Sequence, residues 1–452
     1  MSDQAALLTA IRNNPDEDTP RLIYADWLDE NATADVHRAR AELIRVQIEL
    51  ERMLEFGDAT TETQRDELVV RQQDLLETYS TQWLRRVPVH NQKFHPHRVN
   101  FRRGFPETGS FHFDYLRQSA VDVFAHPLLR RIGVSPINEH ALIDLLQCEW
   151  LAELRGLELS PLEGSGFPPP DWSDLGLAEN LRQLDSLALN FGGTLSVPGA
   201  KQIAANSALS SVHTLCLKEE ASTEAIPPLL DGVAFRSLSR LELKNFRGGR
   251  PPIPNLAANP RVAALEELHL VGYRANGVDI ARLTESQFWK NLRIFDFSYG
   301  ELGSAIYTLA QSRSTQLQSL TLTSNERFEG QGLCGPILWS LRSLDLSGNP
   351  YIGPEVVQYL ADCSRTVGLW NLNLAGCGCV GDTTAQILAT APAFSQLRWL
   401  DLHNTGITTE GAKALAFSPQ LERLGLLKLH GCQLGRSVKS LLLERFGNRV
   451  RW

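Results

Sequence analysis

A six-residue pattern of hydrophobic positions, apolar-x-x-apolar-x-apolar, occurs twelve times between Leu129 and Leu429. Clear copies begin at Leu341 (LRSLDL), Leu369 (LWNLNL) and Leu397 (LRWLDL). The middle apolar residues of successive copies lie 24 to 30 residues apart. They are Ile132, Leu157, Leu187, Leu215, Leu241, Leu268, Phe295, Leu320, Leu344, Leu372, Leu400 and Leu427. A recurrence of this length indicates a stack of repeated supersecondary units.

The alternation inside each copy predicts a β-strand with two different faces. Successive side chains of a strand point to opposite sides, so the fourth and sixth positions face inward and the third, fifth and seventh face outward. One such strand cannot bury its apolar side alone. Stacking the copies at roughly 4.8 Å therefore gives a parallel sheet with a continuous core.

The segments between the copies predict helices. Residues 353–364 (GPEVVQYLADCS), 381–392 (GDTTAQILATAP) and 410–419 (EGAKALAFSP) have apolar residues at helical spacing. Pro/Gly-rich spacers at 164–170 and 248–254 predict irregular turns in place of a helix. Because helices are wider than strands, we expect the stack to curve into a horseshoe with the parallel sheet on its concave face.

The strand-plus-helix unit resembles the ribonuclease-inhibitor class of leucine-rich repeats over about two thirds of the chain. This resemblance implies an α/β leucine-rich-repeat solenoid. In such repeats an asparagine usually stands three residues after the last strand leucine. Asn325 and Asn349 hold that place, and Cys377 and Cys432 hold it in two later copies.

Residues 1–80 differ from the repeats and predict four short amphipathic helices. An open solenoid end exposes apolar surface, so we expect these helices to form an N-terminal bundle that caps the first repeat. The segments PDEDTPRL (15–22), YADWL (24–28) and RAELIR (40–45) resemble the repeat-companion domain of planctomycete-type bacterial proteins. RRGFPE (102–107) and ERFGNRVRW (444–452) resemble the flanks of such proteins. The resemblance implies no activity.

The predicted organisation therefore has three parts. Residues 1–80 form a helical repeat-companion or cap domain, and residues 81–127 form a basic transition segment with the first solenoid rung. Residues 128–452 form a solenoid of about twelve repeats with a C-terminal cap.

Charge, hydrophobic runs and cysteine content limit the partners and the compartment that we expect for this protein. A net charge of -8 and a pI near 5.8 argue against bulk nucleic-acid binding. The start of the chain lacks the basic segment of a secretory signal, and no apolar run approaches the ~18 residues of a membrane span. Seven cysteines, an odd number without a CxxC pair, fit a reducing compartment. We expect a cytoplasmic protein that does not enter a membrane.

Metal and cofactor sites are weakly indicated. His90, His95 and His97 include an HxH pair that zinc could use, and Cys377 with Cys379 forms CxC. Neither group has the further ligands of a tetrahedral site, and buried thiols that bond a turn are the simpler interpretation of the cysteines. We expect no metal and no cofactor.

A catalytic role is not expected either. His403, His430, Asp401 and Cys432 lie in the last copies, and a thiol, an imidazole and a carboxylate can act together. However, the alternation turns Cys432 toward the core and both histidines outward. The chain also lacks the phosphate-binding, HExxH and GxSxG motifs, so we predict a non-enzymatic protein.

Charge is unevenly distributed near the N-terminus. Residues 1–80 carry 18 acidic and 8 basic residues, whereas residues 81–131 carry 9 basic and 3 acidic ones. Either the acidic helices dock on the basic segment, or that segment binds a nucleic acid. The residues available for the second alternative are Arg85, Arg86, Lys93, Arg98, Arg102, Arg103, Arg130 and Arg131, with Phe94 and Phe101 as stacking faces.

The outward positions of the repeats carry the main functional hypothesis. The fifth positions form an acidic to polar column: Glu158, Ala188, Cys216, Glu242, His269, Asp296, Thr321, Asp345, Asn373, Asp401 and Lys428. Such a column suits a basic or polar protein partner, although solvated side chains with no partner are the alternative. Trp399 is a large outward aromatic residue with a polar surround, as in an interface hot spot. The predicted partner-binding residues on the concave face are Asp296, Asp345, Asn371, Asn373, Trp399, Asp401, His403 and His430.

Overall fold

The computed structural model describes residues 3–56, 62–84, 98–126, 128–161, 170–191, 195–218, 224–245, 249–314, 316–325, 333, 335–362 and 368–452. The chain divides into two compact units. The first is Met1–Gly193 with Ala205–Ser211, and the second is Thr194–Ala204 with Val212–Trp452.

The first unit starts with four helices and continues as strands and helices. Its helices are α1 (Asp3–Asn13), α2 (Asp18–Glu30), α3 (Asp35–Phe56), α4 (Glu62–Leu84), α5 (Phe113–Phe124) and α6 (Glu139–Leu146). Its strands are β1 (Arg98–Arg102), β2 (Phe105–His112), β3 (Arg131–Ile137), β4 (Gly156–Pro161) and β5 (Ser186–Asn190). Strands β1 and β2 form an antiparallel hairpin, and β2 to β5 are parallel neighbours in chain order.

The second unit repeats a short strand and a return segment. Its strands are β6 (Thr214–Lys218), β7 (Arg240–Lys244), β8 (Glu267–Val271), β9 (Ile294–Asp296), β10 (Ser319–Thr321), β11 (Ser343–Asp345), β12 (Asn371–Asn373), β13 (Trp399–Asp401), β14 (Leu426–Lys428) and β15 (Val450–Arg451). Its helices are α7 (Val197–Ala204), α8 (Ile226–Leu230), α9 (Ile253–Ala258), α10 (Gly277–Glu285), α11 (Ala305–Gln311), α12 (Pro354–Asp362), α13 (Asp382–Thr390), α14 (Thr409–Ala416) and α15 (Arg436–Phe446). The strands are parallel and follow chain order in an open sheet.

The predicted strand register is confirmed in both units. Within each unit the middle apolar residue of a copy pairs with that of the next, as Leu344 does with Leu372 and Leu372 with Leu400. All twelve middle residues are at most 3% exposed. At the C-terminal end Val450 pairs with Leu427, so β15 adds a strand that the pattern did not predict. Burial of these aliphatic side chains in register is the main stabilising contribution of the solenoid.

The predicted return helices are confirmed where the sequence pattern was clear. Segments 353–364, 381–392 and 410–419 contain α12, α13 and α14, whose inward residues are buried. The prediction of irregular turns for spacer 248–254 is confirmed for residues 249–252, but it was wrong that no helix follows, because α9 begins at Ile253. Pro254 stands at the start of this helix, where a missing amide proton costs no hydrogen bond. Most of spacer 164–170 lies outside the described residues.

The turn after each strand has a repeated backbone geometry. Two places after the last strand leucine, seven successive copies have a positive φ: Gly272, Tyr299, Ser324, Gly348, Gly376, Asn404 and Gly431. In five of these copies the side chain of the next residue bonds to carbonyls at the strand ends; these residues are Asn325, Asn349, Cys377, Thr405 and Cys432. The Nδ2 of Asn325 donates to Phe297 O (2.6 Å) and the Nδ2 of Asn349 donates to Leu322 O (2.9 Å). These bonds satisfy buried carbonyls and fix each strand end relative to its neighbour.

The N-terminal helices cover the β1–β2 hairpin of their own unit. One apolar cluster contains Ile11 of α1, Leu28 of α2 and Ile44 of α3 together with Phe105 of β2. Gly104 at the hairpin tip has φ +81, and a Cβ there would lie 2.1 Å from Ile44 Cγ1. The tip therefore requires glycine both for its backbone and for its close approach to α3.

Candidate functional site

The outward fifth positions form the predicted column on the sheet. Parallel pairing places Asp296 beside Thr321, and Asp345 beside Asn373. Asp401 follows Asn373 and pairs with Lys428. We call the outward third, fifth and seventh positions of β9 to β14 the strand face. The alternation of each copy has thus brought the predicted partner-binding residues, which belong to five of these six copies, onto one surface.

Asp401 organises the C-terminal end of the strand face. Its Oδ1 accepts hydrogen bonds from His403 Nδ1 (2.6 Å) and His403 N (3.1 Å), and its Oδ2 lies 3.1 Å from Lys428 Nζ. The His403 ring stacks on His430 with 4.2 Å between centroids, and Lys428 Nζ lies 5.0 Å from the Trp399 ring centroid. Only 2% of Asp401 is exposed, so the expectation of a solvent-facing carboxylate was wrong here. His403 and Lys428 cover the carboxylate because it binds both side chains.

The other acidic side chains of the column are also bonded within the sheet. Asp345 Oδ1 accepts from Ser347 Oγ (2.6 Å) and Thr323 Oγ1 (3.1 Å), and its Oδ2 accepts from Asn373 Nδ2 (2.8 Å). Asp296 accepts from Ser298 Oγ and lies 3.3 Å from His269 Nδ1. The column is therefore a hydrogen-bonded network, and its charge is less available to a partner than the sequence pattern indicates.

The carboxylate of Glu242, on β7, is likewise bonded to a neighbouring side chain of the sheet. Burial tends to raise the pKa of its carboxyl group, but the hydrogen bond (2.5 Å) and charge of Lys244 together with His269 and Cys216 outweigh burial, and the pKa is lowered. Glu242 in turn raises the pKa of the neighbouring Cys216 thiol, which burial already raises, to about 12. This thiol is protonated at neutral pH and is not a nucleophile.

The cysteines at the asparagine place have a structural role. The Sγ of Cys377 donates to Leu346 O (3.2 Å), and the Sγ of Cys432 donates to Leu402 O (3.2 Å). Burial raises the pKa of the Cys377 thiol to about 12. The prediction that buried thiols bond the turn is confirmed for Cys377 and wrong for Cys379, which is exposed. His403 meanwhile binds Asp401, so the described contacts do not assemble a thiol–imidazole pair.

The candidate metal ligands do not come together in the described residues. His90, His95 and His97 lie outside them, and Cys379 is exposed while Cys377 is buried. Within the described ranges, no three histidine, cysteine or carboxylate side chains are grouped so that they could hold a metal ion.

The basic segment is bonded to acidic residues of the first unit wherever its side chains are described. The ion pairs are Arg102–Glu51 (2.9 Å), Arg103–Glu51 (2.7 Å), Arg130–Glu153 (3.0 Å) and Arg131–Asp185 (2.7 Å). Phe101 packs 5.8 Å from Trp83. Arg85, Arg86, Lys93 and Phe94 lie outside the described residues, as does the side chain of Arg98. The described arginines thus join strands to the acidic helices and to neighbouring turns.

A buried arginine also joins the N-terminal helices to the β1–β2 hairpin through an ion pair. Arg21 of α2 is fully buried, and its Nη2 lies 2.6 Å from Glu107 Oε1 on β2. Burial raises the pKa of the Glu107 carboxyl group, against the attraction of Arg21. Arg21 Nη1 also donates to Arg102 O at 3.3 Å. The arginine therefore ties the helices to the hairpin from inside the unit.

A row of exposed residues beside the strand face was missed by the sequence pattern. The second position of three successive copies holds Arg342, Trp370 and Arg398, and both guanidinium groups lie over the Trp370 ring. The second position precedes the strand, so the alternation assigns it no direction. The sequence could have indicated this row, because the second position holds arginine, tryptophan and arginine in three successive copies.

No helix within the described ranges is long and apolar enough to cross a membrane. The comparisons with known proteins concern the repeats. A sequence profile described as Leucine Rich repeat matches residues 340–361 and 397–416. The first match begins before β11 and the second before β13, so each contains one strand and most or all of the helix that follows.

Solved structures of repeat proteins are similar to this chain at low sequence identity. An internalin from Listeria monocytogenes has 17% identity and a TM-score of 0.40, over 69% of this chain and 83% of that one. A leucine-rich-repeat protein of Leptospira interrogans has 16% identity and a TM-score of 0.33, over 72% and 90%. Human trophoblast glycoprotein has 20% identity and a TM-score of 0.35, over 48% and 78%. Together with the register and the turn geometry, the profile matches show that this chain carries leucine-rich repeats on an α/β solenoid with N-terminal helices.

Proposed function

We propose that the protein is a non-enzymatic interaction module that binds a protein or peptide partner on the strand face. The observation that carries the proposal is the arrangement around Trp399. Its half-buried indole lies under Lys428, and the stacked rings of His403 and His430 lie on the same side of the neighbouring strands. Aromatic side chains held in place at low entropy cost and surrounded by polar groups are the usual anchors of protein interfaces.

The bonding of the column changes what the partner is expected to recognise. Because Asp345 and Asp401 already accept several hydrogen bonds, the fifth positions mainly hold their neighbours in place. We therefore assign direct contact to Trp399, His403, His430, Asn371 and Asn373, and a positioning role to Asp401. Asp296 and Asp345 are half-buried and contribute at the edge of the contact.

No contact of the described residues favours the alternative that residues 81–131 bind a nucleic acid. Each arginine of the basic segment whose side chain is described is paired with a carboxylate or fixed by one, as Arg103 is by Glu51. A nucleic acid would have to displace these intramolecular pairs before it gained phosphate contacts.

The N-terminal helices are assigned a capping role within the same proposal. They bury the β1–β2 hairpin at the start of the sheet, which is what a solenoid end requires. Their resemblance to the repeat-companion domain fits this role and adds no activity. The free cysteines agree with a cytoplasmic setting.

Capture from native cells tests the proposal. The intact chain is used as bait beside Trp399→Ala and beside Lys413→Glu, an exposed change on α14. We expect a protein that is retained by the intact chain and by Lys413→Glu and is lost from Trp399→Ala. Equal capture by all three baits would exclude the strand face as the site.

A further inference from the structure

Three residues that precede neighbouring strands form a continuous cation–π stack. Trp370 leads into β12, and the arginines lead into the strands on either side of it, β11 and β13. Arg342 Cζ lies 4.8 Å from the centroid of the Trp370 ring, and Arg398 Cζ lies 4.4 Å from it. All three side chains are exposed, and Trp370 is 37% accessible.

The backbone fixes the stack before any ligand arrives. Trp370 N donates to Arg342 O (2.8 Å), and Arg398 N donates to Trp370 O (2.8 Å). Arg342 Nη1 also donates to Gly368 O at 2.9 Å. A guanidinium held over an aromatic ring loses little further freedom when it binds an acceptor, and its donors match a carboxylate in a bidentate geometry.

The stack also carries positive charge that the described chain does not neutralise. The guanidinium group of Arg398 has no hydrogen-bond or ion-pair partner in the described ranges, and neither arginine of the stack is near enough to a carboxylate there to form an ion pair. By contrast, Arg293 holds the same repeat position before β9 and pairs with Glu266 at 3.5 Å. The nearest acids of the strand face, Asp345 and Asp401, already accept bonds from their own neighbours.

We propose that the stack of Arg342, Trp370 and Arg398 binds an extended acidic peptide, with one carboxylate on each arginine and the chain between them on the indole. The inference rests on the proposed function and specifies its partner, because the stack adjoins Trp399 through the Asn371–Trp399 pair. The arginines are two strands apart, roughly 10 Å at ~4.8 Å per strand. Alternate side chains of an extended peptide are about 7 Å apart, and arginine side chains can span the difference.

This chemistry differs from what the fifth-position column suggests. A column of carboxylates would select a basic partner, whereas the stack selects acids at its edge. We call Trp399, Lys428, His403 and His430 the Trp399 cluster. A peptide that lies across the strands with acidic residues on one face would contact both the stack and this cluster. The partner is thus expected to carry an acid-x-acid motif next to residues that pack on Trp399.

The test uses the full chain and short fluorescent peptides that differ at alternate positions only, with glutamate, glutamine or lysine. We expect the glutamate peptide to bind, with affinity falling as salt rises, and the other two to bind at least about tenfold more weakly. The double variant Arg342→Ala/Arg398→Ala and the single variant Trp370→Ala should each weaken the glutamate peptide by about tenfold or more. Arg293→Ala, the matched change at a paired arginine, should alter it by less than about twofold.

The conservative double variant Arg342→Lys/Arg398→Lys guards against a folding defect, because it keeps both charges. We expect its affinity for the glutamate peptide to lie between the affinities of the wild type and of the double alanine variant, since lysine cannot form the bidentate contact. Equal binding of the glutamate and glutamine peptides would overturn the inference, and so would equal effects of Arg293→Ala and the double alanine variant. Tighter binding of single-stranded RNA that is lost in the same variants would also overturn it, because it would assign the stack to a nucleic acid.

The outcomes separate this inference from the proposed function. If a captured partner depends on Trp399 but tolerates the double alanine variant, the acidic-peptide inference fails and the strand-face site stands. If the glutamate peptide depends on the stack while the captured partner tolerates Trp399→Ala, the assignment of the Trp399 cluster fails and the stack is a separate site.

Discussion

The imidazole rings of His403 and His430 are stacked, with 4.2 Å between their centroids and 12° between their planes. They occupy the seventh positions of consecutive copies, and Asp401 fixes the first ring through a 2.6 Å hydrogen bond. The two rings lie on the same outward side as Trp399, four positions further along their copies, at the C-terminal end of the strand face. A buried carboxylate therefore sets the orientation of the surface that we assign to a partner.

The first prediction concerns the register of the repeats. Leu372→Ala removes a fully buried side chain from the middle of β12 and should lower the free energy of unfolding by about 2 to 5 kcal/mol. Denaturant unfolding followed by circular dichroism measures this loss, and Asn371→Ala, at the exposed neighbouring position, is the control. Because each repeat contacts mainly its neighbours, the transition is expected to broaden as well. A loss below about half a kcal/mol, within the range of surface changes, would show that Leu372 does not belong to the core.

A second prediction uses pH. Partial burial would raise the pKa of Asp382, but hydrogen bonds from Thr408 and Gly411 outweigh it and lower the pKa. The carboxylate lies at the start of α13 and accepts from the N-terminal residues of α14, with Thr408 N at 2.7 Å and Gly411 N at 3.0 Å. Asp382→Ala should cost about 0.5 to 2 kcal/mol at neutral pH, as loss of a helix cap does.

The sign of the pH effect follows from the lowered pKa. The contribution of Asp382 is complete above the unfolded-state pKa of about 3.9 and is lost as the pH falls through the lower folded-state value. The difference in unfolding free energy between wild type and Asp382→Ala should therefore shrink toward zero in acid. A difference that stays constant, or grows, as the pH falls below about 4 would contradict the hydrogen-bonded carboxylate.

Tyr299 gives a prediction of increased stability. Its φ is +56, and 59% of its surface is exposed, whereas the same place in neighbouring copies holds Gly272, Ser324 or Gly348. The left-handed conformation costs a bulky residue roughly 1 to 2 kcal/mol, and asparagine adopts it more readily. Tyr299→Asn should raise the unfolding free energy by about 0.5 to 1 kcal/mol in thermal unfolding. Tyr351→Asn, an exposed tyrosine without a positive φ, should give no such gain.

The fourth prediction tests how the N-terminal helices are attached. Arg21→Ala leaves the half-buried Glu107 carboxylate with only Arg102, 3.7 Å away, as an ion-pair partner among the described residues, and should cost about 3 to 5 kcal/mol. Hydrogen exchange should increase in α1 to α3 and in the β1–β2 hairpin while the second unit is unchanged. Adding Glu107→Gln to Arg21→Ala should recover part of the loss, because it removes the carboxylate that has lost its closest cation. Uniform exchange across both units would contradict a local attachment.

Much of the solenoid could be predicted because its pattern is local and repeated. The middle leucines, the return helices α12 to α14 and the bonded thiols of Cys377 and Cys432 follow from periodicity and from the place of each residue in its copy. Helix α9 was missed, because proline is read as a helix breaker although it is tolerated in the first turn.

The chemistry between copies could not be read from the sequence. The burial of Asp401 depends on donors at the fifth position of the next copy and at the seventh of its own, which alternation alone does not weigh. The stack around Trp370 lies at a position before the strand, where the direction of a side chain depends on the neighbouring turns. The roles of residues that act across strands thus become visible only in the three-dimensional structure, whereas the roles of those that act within a copy follow from the sequence.

The strand-face proposal is tested most directly by the affinity of a captured partner for two single variants. Trp399→Ala removes the aromatic anchor and leaves the buried leucines intact, whereas Lys413→Glu changes an exposed residue of α14 that pairs with Glu410. Isothermal titration should show a loss of about 2 kcal/mol or more for Trp399→Ala, with unchanged circular dichroism, and a change near zero for Lys413→Glu. Equal affinities for the two variants would contradict partner binding at the strand face.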